Sequence, residues 1–237
     1  MPAEIPVITV DGPGGTGKGT LGSYLAHWLQ WHFLDSGALY RVLALAAERH
    51  SIIDEDVPGL VEMARNLDVV FKHSASGDGH AILLEGTEVS DLIRTESRGN
   101  AASRIAALPE VRQALLDRQH NFRKPPGLVA DGRDMGTVVF PGAHLKIFLT
   151  ASVEERARRR YKQLKEKGFD VNLPQLSDEI TERDVRDSQR TVSPLRPADD
   201  AAVIDTTQLN IESVIDRVAV LVRDRFPEFT GKSGSNN

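Results

Sequence analysis

Apolar positions in the first part of the chain come in two alternating spacings. Residues 5–10 form a short apolar run closed by Asp11-Gly12, the form of a strand covered on both faces. Leu21, Leu25, Trp28 and Leu29 then recur three and four residues apart, which places them on one side of a helix. Residues 31–34 repeat the strand pattern, and Leu39, Val42, Leu43 and Ala46 repeat the helical one. Strand–helix alternation of this kind predicts a parallel sheet wrapped by helices.

The middle of the chain breaks this rhythm. Residues 67–71, 81–84 and 87–89 read as strands, separated by Ser76-Gly77-Asp78-Gly79 and Glu85-Gly86. Close strands with no helix between them predict a small antiparallel insertion over roughly residues 65–95. Alternation then resumes. Pro109 and Glu110 suit a first helical turn, with Val111, Leu115 and Phe122 at helical spacing behind them. Residues 127–130, 145–149 and 202–204 read as strands, and residues 211–221 as a closing amphipathic helix. Ser152 with Glu155 predicts a capping box at the head of an arginine-rich helix.

A length of 237 residues suits one large domain, or a core with a small insertion. There is no cysteine, which excludes disulfides, thiolate metal sites and thiol nucleophiles and fits a reducing compartment. Basic residues number 29 and acidic ones 34, for a net charge of −5, unlike the strongly basic chains that bind nucleic acid. The basic residues are unevenly placed: seven of the twelve residues 156–167 are Lys or Arg. That local excess can face a polyanion while the whole chain stays acidic. No apolar run approaches the ~20 residues of a membrane span, and the start lacks the pattern of a signal peptide. The expectation is a soluble, cytoplasmic monomer. Residues 231–237, small and polar, are expected to form a disordered tail.

The strongest chemical signal is Gly12-Pro13-Gly14-Gly15-Thr16-Gly17-Lys18-Gly19-Thr20. It has the G-x-x-x-x-G-K spacing of a phosphate-binding loop, with a strand pattern before it and a helix pattern after it. Its glycines let backbone N–H groups turn toward phosphate oxygens, the next helix adds its positive end, and Lys18 adds a mobile charge. Gly19 stands where Ser or Thr usually follows the lysine, and Thr20 comes one later, so the usual Mg²⁺-ligand role of that hydroxyl is not carried over and no residue is assigned as a direct metal ligand.

Asp35-Ser36-Gly37-Ala38-Leu39-Tyr40-Arg41 lies at the next strand-to-helix junction. Ser36 is placed to cap that helix, and Arg41 to meet a second anion in the same crevice. Asp131-Gly132-Arg133-Asp134 follows another strand, where an acidic residue can organise Mg²⁺ through water. Arg156, Arg159 and Arg160 share a helical face and suit charge stabilisation during phosphoryl transfer. In the stretch 181–190, Arg183 and Asp187 are four apart, a spacing that also fits a plain helix ion pair. Arg186 and Arg190 repel at the same spacing and call for a counter-anion.

Together these motifs, with Asp131-Gly132-Arg133-Asp134-Met135-Gly136-Thr137-Val138-Val139-Phe140-Pro141 the most specific, make the sequence similar to bacterial-type cytidylate kinases along nearly its whole length. The resemblance implies a three-layer P-loop kinase fold: a parallel sheet core, an acceptor-binding part enlarged by the antiparallel insertion, and a helical lid over about residues 153–190. It implies ATP with Mg²⁺ as phosphoryl donor, CMP or dCMP as acceptor, and neither nucleic acid nor membrane as partner. Residues 12–20 would hold the ATP phosphates, with Arg156, Arg159 and Arg160 as lid arginines and Arg186 beside them. Arg41, Arg133 and Arg190 match residues that grip the acceptor phosphate. Ser103, Arg112 and Asp134 match those that read the cytosine edge, and Arg183 and Asp187 those near the sugar. Two rival readings remain at this point: a small kinase for another monophosphate, and a nucleotide-dependent binding module.

Overall fold

A computed structural model describes residues 4–73, 80–166 and 168–230. The turn at residues 76–79 and the tail at 231–237 lie outside the described residues. The first strand β1 (Val7–Asp11) leads through the glycine loop into α1 (Lys18–Leu29), then β2 (His32–Asp35) and α2 (Ser36–Arg49). Next come α3 (Val57–Arg65), the strands β3 (Val69–His73), β4 (His80–Leu84) and β5 (Thr87–Glu88), and the helices α4 (Glu96–Ile105) and α5 (Pro109–His120). The chain re-enters the main sheet with β6 (Leu128–Gly132), a single π-helical turn at Met135–Val139, and β7 (Leu145–Thr150). Helices α6 (Val153–Glu166) and α7 (Leu173–Ser188) precede β8 (Ala202–Asp205), and α8 (Ile211–Arg225) and α9 (Pro227–Thr230) close the chain.

Five strands pair in the order β2-β6-β1-β7-β8, all parallel. The register aligns the strand ends. Asp35 faces Asp131 across β2–β6, and Asp11 faces Gly132 across β1–β6. Three neighbouring strands therefore end level, and each delivers an acidic residue to the same carboxyl edge, where ligand crevices form in parallel sheets.

Side chains alternate across this sheet. Ile8, Val10, Val129, Ile147 and Leu149 pack toward α1 and α8, onto Leu21, Leu25, Val214, Val218 and Val222. Val7, Leu128 and Ala130 face the other way, onto Leu34, Met135, Val139 and Phe140. A separate apolar core joins α2 to α3, α4, α5 and the three-stranded antiparallel sheet, with Leu39, Leu43, Leu60, Leu84, Ile93, Ile105 and Leu115 fully buried. The predicted insertion is thus present, in the order β3-β4-β5, and it shares its core with α2 rather than with the main sheet.

Three local expectations are corrected. Asp35, not Ser36, caps α2: its Oδ1 accepts from Ala38 N at 2.8 Å, while the Ser36 hydroxyl donates to Gln119 Oε1 at 3.0 Å. Only half of the capping box forms. Ser152 Oγ accepts from Glu155 N at 3.2 Å, but Ser152 N donates to Thr207, and the Glu155 carboxylate turns to Arg158 and Arg159. Phe122 lies past the end of α5, edge-on to Phe71 at 5.7 Å.

None of the described helices is long and apolar enough to cross a membrane. The cap of α8 offers a test of its local energetics. Asn210 Oδ1 accepts from Ser213 N at 2.9 Å on an exposed surface, so Asn210→Ala is expected to cost about 1 kcal/mol. Urea unfolding of the two proteins measures this as a lower midpoint at unchanged slope.

Candidate active site

The glycine loop runs from the end of β1 to the first residue of α1. Gly12 has φ +147°, and a Cβ there would stand 2.2 Å from Leu149 O, so only glycine passes between the strand ends. Gly17 precedes the helix with φ 92°, and α1 carries no acidic residue in its first turn. Its N–H groups and dipole are therefore offered to an external anion. Pro13 O accepts from both Thr16 Oγ1 at 3.0 Å and Lys18 Nζ at 3.2 Å, which curls the loop back on itself. Burial pushes Lys18 down to about 7; Arg133 adds to this shift and Asp131 opposes it. An arriving anion reverses that cost, because it stabilises the charged ammonium.

Gly19 has a steric reason to differ from the usual Ser or Thr. A Cβ on it would stand 3.3 Å from Asp131 Oδ2. Asp131 thus occupies the space beside the lysine, and Thr20 lies exposed on the helix surface. Burial pushes the Asp131 carboxyl up to about 7, against the pull of Lys18, and its Oδ1 has no hydrogen-bond partner. A buried carboxylate with an unpartnered oxygen beside a phosphate loop suits a hydrated cation brought by a ligand. Among the described residues no group of three or more His, Asp and Glu is arranged to hold a metal on its own.

Arginines from the acceptor side crowd directly over this loop. A Cβ built on Gly14 would lie 3.6 Å from Arg133 Nη2 and 4.0 Å from Arg183 Nη1. Arg183 also meets Arg41 at Gly99 of α4, where a Cβ would stand 2.9 Å from Arg41 Nη2 and 3.0 Å from Arg183 Nη1. Arg41 Nη1 donates to the carbonyls of Ile93 at 2.8 Å and Thr95 at 3.0 Å. Burial lowers Arg183 to about 9, with Arg133 and Arg41 adding to the shift. Like charges packed this closely mark a site that lacks a counter-anion.

Asp187 supplies part of that charge. Its carboxylate accepts from Ser103 Oγ at 2.8 Å, from Arg133 Nε at 3.0 Å and from Arg190, with Arg183 Nε at 4.0 Å. Burial alone would raise this carboxyl, but the guanidinium groups of Arg133, Arg190 and Arg183 outweigh it and hold it at about 2. The spacing of Arg183 and Asp187 is therefore not a plain surface pair, since both are drawn inside a larger cluster. Nearby, Arg112 pairs with Asp134, donates to Ala106 O at 3.1 Å, and lies 5.6 Å from the ring centre of Tyr40.

The three lid arginines share a helical face but go to different places. Arg156 is buried, donating to Ala151 O and Gly14 O and pairing with Asp184. Arg159 donates to Thr206 O at 2.6 Å and Leu209 O at 3.2 Å, holding the loop before α8. Arg160 pairs with Glu96 and donates to Arg94 O at 2.6 Å, linking α6 to α4. Arg186 keeps a buried Nη1 without a hydrogen-bond partner.

A cleft of about 1130 Å³ opens between these parts. Gly14, Gly15, Lys18, Gly19, Asp35, Arg41, Asp131, Arg133, Arg160 and Arg183 line it. Ser103, Arg112, Asp134 and Asp187 are not among its lining residues; they are buried, Ser103 with Asp187 and Arg112 with Asp134. Sequence reasoning did not single out Asp11, Tyr40, Glu96 or Thr206. Asp11 stands at the junction of strand and glycine loop, where its place next to the loop was the only signal, and the others carried no spacing signal of their own.

A model of the family described as "Cytidylate kinase" matches residues 8–224. The chain is 62% identical over 218 residues to a protein named cytidylate kinase from Nitrosococcus oceani, covering 92% of this chain and 96% of the relative. The chain belongs to the cytidylate kinase family. Relatives of the same name from Aeromonas hydrophila subsp. hydrophila and Stutzerimonas stutzeri are 60% and 59% identical, covering 91% and 95% of this chain and 93% and 98% of the relatives. The match begins within β1 and ends within α8, so it spans both the loop and the arginine cluster.

The buried Asp187 makes a pH prediction for a family member of this geometry. Its folded value, about 2, lies below the ordinary 3.8. Its contribution is therefore present above pH ~4 and lost as pH falls toward 2. The stability difference between the parent and Asp187→Asn is expected to shrink by about 2 kcal/mol over that window. Urea unfolding at a series of pH values measures it.

Proposed function

We propose that this chain transfers the γ-phosphate of MgATP to CMP or dCMP, giving ADP and CDP or dCDP. The observation that carries this reading is the meeting of two anion sites in one cleft. Arg133 and Arg183, from the acceptor side, reach within 4.0 Å of a Cβ position on Gly14 of the donor loop. An ATPase or binding module needs only the loop; a second arginine cluster facing it calls for a second phosphate. Family membership and the named relatives give the same acceptor.

In this reading the loop and Lys18 hold the β- and γ-phosphates. Mg²⁺ arrives with ATP as part of the substrate, and Asp131 offers its unpartnered oxygen to the ion's water shell. Arg41, Arg133 and Arg190 grip the acceptor phosphate. An acceptor phosphate oxygen attacks the γ-phosphorus as the bond to the β–γ bridging oxygen breaks, and ADP leaves with that electron pair. The attacking oxygen is already anionic near neutral pH, so no side chain has to remove a proton. The work left for the protein is alignment and charge neutralisation, which Lys18, Arg133, Arg160 and Arg186 supply, joined by Arg159 once it leaves Thr206 and Leu209. We read α6 and α7 as the lid that carries three of them, closing to exclude water, and residues 65–95 as part of the acceptor side.

Base choice follows from the buried pair of Arg112 and Asp134. Asp134 accepts from the cytosine amino group and Arg112 donates to the ring acceptors, joined by Ser103 once its hydroxyl turns from Asp187. Uracil, with an oxygen in place of the amine, would set two acceptors face to face, at a cost of a few kcal/mol. Asp187 and Arg183 hold the sugar.

ADP production from MgATP with CMP, dCMP, UMP, AMP and GMP in parallel tests the reading. Turnover is expected with CMP and dCMP and little with the rest. Turnover with a different monophosphate alone would keep the mechanism and remove the base assignment; acceptor-independent ADP release would remove the kinase reading. Lys18→Ala is expected to lose at least ~10²-fold in kcat/KM, as steady-state assays would show. Asp134→Ala is expected to lose its preference for CMP over UMP, and an unchanged ratio of the two kcat/KM values would refute that role.

A further inference from the structure

Asp11 ends β1 and is 5% exposed. Its backbone leads straight into the glycine loop, yet its side chain serves a different segment. Oδ1 accepts from Met135 N and Oδ2 from Gly136 N, each at 2.8 Å. These are the first two N–H groups of the π-helical turn, which no preceding residue of that turn can satisfy. Asp134, which directly precedes the turn, makes no side-chain cap to it; its carboxylate goes to Arg112 instead.

The fit around this clamp is close. A Cβ on Gly136 would stand 2.8 Å from Thr9 Oγ1 and 3.3 Å from Asp11 Oδ2, so the turn approaches β1 only because residue 136 has no side chain. The ladder fixes one side of the connection, with Asp11 opposite Gly132. The Asp11 carboxylate fixes the other, at Met135 and Gly136. Only Arg133 and Asp134 lie between these two anchors, and they are the proposed acceptor-phosphate and base contacts.

We propose that Asp11 is a positioning residue for phosphoryl transfer, which sets the placement of Arg133 and Asp134 relative to the donor loop that begins at the next residue. One side chain thereby ties the two substrate sites to a single strand end. Near-attack geometry between donor and acceptor is sensitive at the 1 Å level, where misplacement can cost ~10²-fold in rate. The inference rests on the cytidylate kinase reading. Absence of CMP-dependent turnover in the parent protein would mark failure of that reading before any variant is made.

The experiment compares the parent with Asp11→Ala, Asp11→Asn and a core control, Val10→Ala, which perturbs the same strand from its opposite face. Steady-state kcat and KM are measured for CMP and UMP, and MgATP affinity by direct titration in the absence of acceptor. Asp11→Ala is expected to lose at least tenfold in kcat/KM for CMP and severalfold in its preference for CMP over UMP, with MgATP affinity within twofold of the parent. Asp11→Asn, which keeps one acceptor oxygen, is expected to fall between. Val10→Ala is expected to lower the thermal midpoint and keep the parental CMP-over-UMP ratio, a pattern that mere destabilisation at Asp11 would share. Parental kcat and base preference in folded Asp11→Ala would overturn the proposal. If that variant does not fold, parental values in Asp11→Asn would do the same.

Discussion

Positive charge packed without enough negative charge is the condition that organises this molecule. Arg133 and Arg183 crowd the glycine loop at Gly14, Arg41 meets Arg183 at Gly99, and Arg190 joins them through Asp187. Burying guanidinium groups costs several kcal/mol each unless they are paired and hydrogen-bonded. The protein offsets part of that cost with backbone carbonyls at Ile93 and Thr95 and with carboxylates, Asp187 in direct contact. What remains unbalanced is positive charge between α4, α7 and the end of β6.

The apolar packing separates the two sides of this site. The core shared by the sheet, α1 and α8 packs the two elements, β1 and α1, that flank the donor loop. The second core, shared by α2 to α5 and the antiparallel sheet, carries Arg41, Ser103 and Arg112. Polar groups then join the second core to α6 and α7, through Glu96 with Arg160 and through Ser103 with Asp187. Hydrogen bonds and ion pairs can exchange partners when an anion arrives, whereas a packed apolar seam cannot do so without opening a void. The division of labour places exchangeable contacts where substrates enter and fixed contacts elsewhere.

Much of this was legible in the sequence because the signals were local. A strand run, a glycine loop and a helical stripe within one stretch fix β1 and α1 together, and turn glycines separate the antiparallel strands. Helix α4 was not legible: Glu96-Ser97-Arg98-Gly99-Asn100 carries little apolar periodicity, and its helical form depends on packing against α2. The cap of α2 was misplaced by one residue because Asp35 and Ser36 are both good caps, and the choice falls to the Gln119 partner on a distant helix. The site was legible as a set of residue types and not as a set of contacts. Spacing put Arg183 beside Asp187, yet the closest partners of that carboxylate include Ser103 and Arg133, 84 and 54 residues away.

Gly99 shows what such a site asks of its scaffold. It sits inside α4 with ordinary helical backbone, so no turn or unusual dihedral demands glycine there. Alanine at an unconstrained helix interior would be favoured by about 1 kcal/mol. Here its methyl group would press on Arg41 and Arg183, and Arg41 is held in place by two carbonyls. A search for sturdier sequences, guided by helix propensity alone, would replace this glycine early and would set a methyl group against both guanidinium groups. The position is a small reservoir of forgone stability, kept open for charge rather than for flexibility.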